Sequence, residues 1–285
     1  MKIGVSGASG QLGRAVVEAL EQAIAAEDLV AISRTPKADG ACESRKGDYD
    51  QPETLDQAYR GLDRLLLIPG PDLRPGIRSR QMLAALDAAE RAGVGHVFLL
   101  SATGTQGEAE PAVGAAYWHS EQRLIKGAIP AWTILRMSYF SETLAEEARM
   151  SLATGSLAAI ADSRVSFVSR DDVAKAAAAA LFSAGQEGAI LNLTGPEAVS
   201  GTDVSCLVSE VTGHSVALNV MPADALRDGL RQAGLPDFAI KAVVSMKERQ
   251  ARGAYDIVTG DIERLTGHPP RALRNVLLRE LGTSK

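Results

Sequence analysis

Short apolar runs alternate with amphipathic stretches through the first half of the chain, and the two periods separate cleanly. Runs of strand character fall at Lys2 to Ser6, Leu29 to Ser33, Glu43 to Gly47, Arg64 to Ile68, His96 to Leu100 and Trp132 to Arg136. Between them the spacing turns helical. Leu12, Val16, Ala19, Leu20 and Ala23 form one stripe at three- and four-residue intervals, suited to lying on a sheet. A second helix is predicted at "DQPETLDQAYRGL", with Asp50 as cap, Pro52 at an early position and Glu53 completing a capping box. The stretch "RPGIRSRQMLAALDAAERAGVGHVFLL" predicts a long helix ended by Gly93, followed by a strand whose end presents Ser101. "EQRLIKGAIPAWTILR" repeats the scheme, with Gly127 and Pro130 closing a helix.

After Arg136 the regularity weakens. Predicted there are a helix from Ser141 to Ala153, a loop through "GSLAAIADSRVSFV", a helix from Asp171, a strand "ILNLTG", a helical stretch with two breaks from Pro222 to Asp256, and a last helix after "GHPPRALRNVL". Strand–helix alternation of this kind predicts an α/β fold, a Rossmann-type doubly wound parallel sheet with a small mixed carboxy-terminal lobe. Residues 1–136 form the expected dinucleotide-binding core. Residues 137–285 complete the sheet and form the substrate lobe over its carboxyl edge, the whole as one compact unit. No repeat or polar linker divides the halves.

Composition narrows the classes. With 285 residues, 46% of them hydrophobic, the chain can fill a core of its own. A net charge of -5 with scattered basic residues offers no footprint for nucleic acid. "MKIGVSGASG" is too broken by glycine for a signal peptide, and "VAKAAAAALF" falls far short of the roughly 20 residues of a membrane span, so a cytoplasmic protein without a membrane partner is expected. Cys42 and Cys206 lie far apart, and His96, His119, His214 and His268 are dispersed, so neither a disulfide nor a metal is implied. Self-association is left open.

Gly7, Gly10 and Gly13 stand directly after the first predicted strand and open the first helix. Glycine permits the tight turn and the close approach of main-chain amides, and a helix amino terminus favours a diphosphate. Gly7, Ala8, Ser9, Gly10, Gln11, Leu12 and Gly13 are therefore the expected dinucleotide seat. The second strand ends in Ser33, Arg34 and Thr35, with Lys37 beyond and no carboxylate to repel a 2'-phosphate. Arg34 is accordingly expected to read that phosphate, making NADPH (NADP) the cofactor.

"GASGQLG", then "GDYDQPETL", "LLLIPGP", "RAGVGHVFLLSATG", "IPAWTILR" and "SRDDVAKAAAAAL" in that order, resembles the NmrA-like atypical short-chain dehydrogenase/reductases, in particular the bacterial triphenylmethane reductases and NADPH-dependent quinone oxidoreductases. The resemblance spans nearly the whole chain and is strongest before residue 140. It too implies NADP, and it implies that Asp48 and Tyr49 flank the adenine and that Pro69, Gly70 and Pro71 run along the cofactor. Asp48 and Asp50 read equally well as turn and cap residues.

A typical short-chain dehydrogenase pairs tyrosine with lysine four residues on. Here Tyr117 is followed by Glu121. A carboxylate beside a phenol opposes its ionisation, so the usual tyrosine–lysine proton relay is not expected, and Tyr117 stands as a candidate catalytic residue without its lysine partner. The gap is consistent with acceptors that need no strong donor: hydride neutralises a triarylmethyl cation, and on a quinone it yields an anion spread over the ring. Ser101 and Thr103 fall where such a sheet reaches the nicotinamide, although a serine there also serves as a turn former. His119, Met137, Tyr139 and Phe140 are the expected substrate-pocket residues, and the last three read equally as core. The resulting expectation is an NADPH-dependent reductase of an electrophilic aromatic or quinone-like small molecule. A non-catalytic dinucleotide-holding redox regulator, known among NmrA-like proteins, is the second reading.

Overall fold

The computed structural model describes residues 1–36, 40–110 and 112–282. Lys37 lies outside them. Along the chain run β1 (Ile3–Ser6), α1 (Gln11–Glu21), β2 (Leu29–Ser33), β3 (Glu43–Lys46), α2 (Glu53–Tyr59), β4 (Arg64–Leu67), α3 (Ile77–Arg91), β5 (His96–Ala102), α4 (Ala115–Lys126) and β6 (Ala131–Met137). There follow α5 (Ser141–Ser151), β7 (Ser156–Ala159), α6 (Arg170–Phe182), β8 (Ala189–Leu193), α7 (Gly201–Thr212), β9 (Ala217–Val220), α8 (Ala223–Gln232), α9 (Asp237–Ala251), α10 (Asp261–Thr266) and α11 (Leu273–Leu281).

Seven strands form one sheet in the order β3-β2-β1-β4-β5-β6-β8, and the pairings from β3 across to β5 are parallel. Ile3 lies opposite Leu29 on one side and Arg64 on the other, so β1 sits between β2 and β4, where the order reverses. That reversal opens a crevice at the carboxyl end of β1, the usual ligand position in a doubly wound sheet. β1 is buried at all four positions and β5 at all seven, as strands covered on both faces must be. The sheet is the Rossmann-type α/β arrangement expected from the sequence.

The chain divides into two compact units, Met1–Arg136 with Val173–Leu191, and Met137–Asp172 with Asn192–Lys285. In the first, Val30, Ile32, Leu65, Leu67, Val97 and Leu99 from the sheet pack with Leu55, Tyr59, Met82 and Leu86 from the helices. The second holds its own cores, one around Leu144, Phe167, Val204 and Tyr255 and one around Leu226, Ile240 and Val244. It also contains a two-stranded parallel sheet of β7 and β9, with Ser156 opposite Ala217. Among the described residues no helix is long and apolar enough to cross a membrane.

Two local expectations are corrected. α1 stops at Glu21, leaving Ala23 exposed outside its apolar stripe. The capping box at Asp50 does not form: α2 starts after Pro52 without a side-chain cap. Asp50 Oδ1 instead accepts from Gln81 Nε2 at 2.9 Å, which draws the carboxylate away from the helix end.

Candidate active site

The turn after β1 is built from backbone. Gly7 has φ +93°, open to glycine and costly for other residues, and a Cβ there would stand 3.1 Å from Ile68. A Cβ on Gly13 would lie 2.2 Å from the Gly7 carbonyl oxygen and 2.8 Å from Ala8 Cα, so helix and turn pack too closely for any side chain. The amides of Gly7 and Ala8 both donate to the carbonyl of Ile32, at 3.1 and 3.0 Å, and Gly10 N–H donates to Gly7 O at 3.1 Å. The first intrahelical bond shown is Arg14 N–H to Gly10 O at 2.9 Å. No side chain caps α1 and its first turn carries no acidic residue. The amides of Gln11, Leu12 and Gly13 in the first turn of α1 therefore precede the first intrahelical bond and carry the helix's partial positive charge, a seat that fits a diphosphate.

Beside this turn, β2 ends at Ser33, and Arg34 and Thr35 follow, both exposed. Among the described residues Arg34 makes no ion pair or side-chain hydrogen bond, so its guanidinium is available to an anion. Asp48 Oδ1 accepts from Asp50 N–H at 3.0 Å, closing a local turn, while Asp48 N–H donates to Thr54 Oγ1 at 2.9 Å. Tyr49 donates its hydroxyl to Ile68 O at 3.1 Å, tying this loop to the end of β4, and burial pushes its phenol up. Pro69, Gly70 and Pro71 follow β4. A Cβ on Gly70 would meet Gln81 Oε1 at 3.0 Å, and that oxygen is buried without a hydrogen-bond partner. An unpartnered buried acceptor beside the loop suits a ligand donor or a bound water.

At the ends of β5 and β6 side chains take over. β5 continues through Ala102, so Ser101 lies within the strand and not at its end as expected. Its side chain is fully buried and its hydroxyl donates to Glu121 Oε1 at 2.6 Å. Thr103 is fully buried as well. Glu121, only 1% exposed, receives Arg136 through two bonds, Nε to Oε1 at 2.9 Å and Nη2 to Oε2 at 2.6 Å. Tyr117 stands one turn before Glu121 on α4. Arg78 of α3 lies over its ring at 5.6 Å, with Nη1 donating to the phenolic oxygen at 3.3 Å. His119 is two residues from Tyr117, a spacing that puts it on another face of the helix.

Met137 is the last residue of β6. Tyr139 packs edge-on against Phe167 and Tyr255, with ring centroids 6.0 and 5.8 Å away. Its hydroxyl donates to Glu147, which is also paired with Lys247 at 2.7 Å, and burial together with the Glu147 carboxylate raises the phenol well above its ordinary value. The ring lines an apolar cavity of the second unit with Leu157, Val165 and Leu218. Phe140 carries Arg170 above its ring at 5.3 Å. Both aromatic rings have partners inside their own unit.

Residues 7–184 match the family described as NAD(P)H-binding. This chain belongs to that family. It is 31% identical over 274 residues to the (4-alkanoyl-5-oxo-2,5-dihydrofuran-3-yl)methyl phosphate reductase of Streptomyces griseus, covering 95% of each chain. Its fold is similar to that of the NADPH-dependent quinone oxidoreductase of Escherichia coli in complex with NADPH, with TM-score 0.89, 26% identity and coverage of 97% of this chain and 99% of that one. It is also similar to the Citrobacter sp. triphenylmethane reductase complexed with NADP(H), with TM-score 0.88, 26% identity and coverage of 99% and 100%. The protein is an NAD(P)H-dependent oxidoreductase, and reductases among its relatives favour an enzyme over a dinucleotide-holding regulator.

In this NAD(P)H-binding chain, Arg78 and the Arg136–Glu121–Ser101 network lie outside what the sequence pattern points to. Arg78 gave no signal, since it lies 39 residues from Tyr117. Glu121 did give one: a glutamate inside an apolar helix face, 15 residues before an arginine in the next strand, asks for a partner.

Proposed function

We propose that this protein is a cytoplasmic reductase that uses NADPH to reduce electrophilic aromatic or quinone-like small molecules. When bound, the reduced nicotinamide supplies hydride. The first-turn amides of Gln11, Leu12 and Gly13 hold the diphosphate, Arg34 holds the 2'-phosphate, and the loop of Pro69, Gly70 and Pro71 borders the same crevice. Tyr117 stands at the acceptor end. The acceptors named for the relatives, a quinone, a triphenylmethane dye and an oxo-dihydrofuran phosphate, are all conjugated and electron-poor, which supports this substrate class. Such acceptors take hydride readily once orientation is fixed.

The observation that carries the reading is the exposed, unpaired Arg34 beside a turn of bare amides, with no carboxylate at the end of β2. Two measurements test it. Purified protein with NADPH and a panel of quinones and cationic dyes should consume the reduced nicotinamide absorbance with at least one member. Arg34→Ala should weaken NADPH binding by about 10- to 100-fold, the worth of a charge-assisted hydrogen bond or two, and leave NADH nearly unaffected. Equal losses for both dinucleotides remove Arg34 from the site.

A further inference from the structure

Glu121 occupies the sequence position of the lysine in the common tyrosine–lysine pair, yet its carboxylate does not bear on Tyr117. Arg136 takes both of its oxygens and Ser101 adds a third bond. The cation beside Tyr117 comes from another helix. Arg78 covers the ring and donates through Nη1 to the phenolic oxygen, while its Nε donates to the Gly70 carbonyl at 2.9 Å. A planar guanidinium held at two points leaves the tyrosine little rotational freedom. Arg78 also borders a surface cleft with Asp72, Arg74, Gly76 and Ala116.

Building on the reductase reading above, we infer that Arg78 is the positioning residue that makes Tyr117 a proton donor for acceptors whose charge collects on oxygen. The phenolic oxygen accepts from Arg78, and among the described residues the hydroxyl donates to no protein acceptor, so its proton is free for a substrate. A quinone that has gained hydride is an anion spread over the ring with its largest share on oxygen. It forms without a donor, but a proton delivered to that oxygen as the charge develops lowers the barrier further. The Tyr117 O–H bond breaks, its proton forms the second O–H of the hydroquinone, and the phenolate left behind faces the Arg78 guanidinium until water returns a proton. In balance, the quinone gains two electrons and two hydrogens, one as hydride from the dinucleotide and one as a proton from solvent through Tyr117. A cationic triarylmethyl dye is neutralised by hydride alone and draws on no proton. The pair therefore discriminates between acceptor classes.

The test compares rates for one quinone and one cationic dye at saturating NADPH in wild type, Tyr117→Phe, Arg78→Ala, Arg78→Lys and Arg78→Gln. Tyr117→Phe should lower the quinone-to-dye rate ratio by about 100-fold, and Arg78→Ala by about tenfold or more, within the range of general acid catalysis. Arg78→Lys should recover part of the ratio, and added guanidinium ion should restore Arg78→Ala but not Tyr117→Phe. Quinone reduction in wild type should show a solvent deuterium effect that Tyr117→Phe lacks. Should Arg78→Ala fail to fold, Arg78→Gln carries the comparison. Variants that lower both rates in equal proportion, with no rescue, overturn the pair while leaving the reductase intact. Wild type inert toward every acceptor overturns the reductase reading and the pair with it.

Discussion

At the end of β1 the chain offers backbone and nothing else, whereas at the ends of β5 and β6 it offers side chains already bound to one another. The first place is bare because glycine is the one residue that fits: a Cβ on Gly13 would intrude to 2.2 Å of a carbonyl oxygen. The second is crowded with charge, a glutamate 1% exposed held by an arginine and a serine. The difference separates two ways of readying a site. Unsatisfied amides wait for an external partner, while the charged cluster is satisfied internally and holds its neighbours still.

Breaking the cluster should have the largest effect on stability. Arg136→Ala leaves Glu121 buried without a counter-charge and should cost about 3–5 kcal/mol in a denaturation curve, whereas replacing both partners by apolar residues of similar volume should recover most of it. A double variant as unstable as the single one would show that packing, and not charge, is at stake.

The opposite end of β5 gives an acid-sensitive contrast. His96 stacks on Phe98 at 4.0 Å, and its Nε2 lies 2.8 Å from Thr133 Oγ1. That hydroxyl spends its proton on Gln186 O at 2.6 Å, so Nε2 is the donor. Burial, with Arg64 nearby, lowers its pKa from 6.5 to about 4. Because the unfolded chain binds the proton more tightly, this contribution is complete above pH 6.5 and is lost as pH falls from 6.5 through 4. The loss amounts to about 3 kcal/mol. His96→Gln should flatten the stability curve in that window, and an unchanged slope would assign the acid loss to other groups.

The smallest effect belongs to the bare turn, and it sharpens the contrast because it separates two glycines. Gly13→Ala must move helix or turn, at about 1–3 kcal/mol, and should weaken dinucleotide binding by roughly tenfold or more in calorimetry. Gly10→Ala should be mild, since its nearest neighbour would be 3.4 Å from the new methyl. Equal affinities for the two variants would show that the turn tolerates crowding.

These contrasts follow how much the sequence discloses. β1, β2 and β4 were legible because buried parallel strands are short apolar runs, and the turn because three glycines fall in register with a strand and a helix. Local chemistry reads from local residues. The Asp50 cap suggested by the local pattern does not form because Gln81, 31 residues away, competes for the carboxylate. Arg78 and Tyr117 meet only through the packing of α3 on α4, which no spacing announces. β7 and β9 escaped because each is four residues long and its partner lies about sixty residues away. α7 does carry a local signal, the reciprocal capping box of Ser200 and Asp203.

The carbonyl of Ile32 receives two amides from the glycine turn, and two residues later the chain reaches Arg34. The segment that would read the adenosine end and the seat of the diphosphate are thus geared to a single oxygen. Strain at either is felt at the other. A ligand fragment engaging only one of them would forfeit the pre-shaping that the missing half provides, so the affinities of the two halves should not simply add.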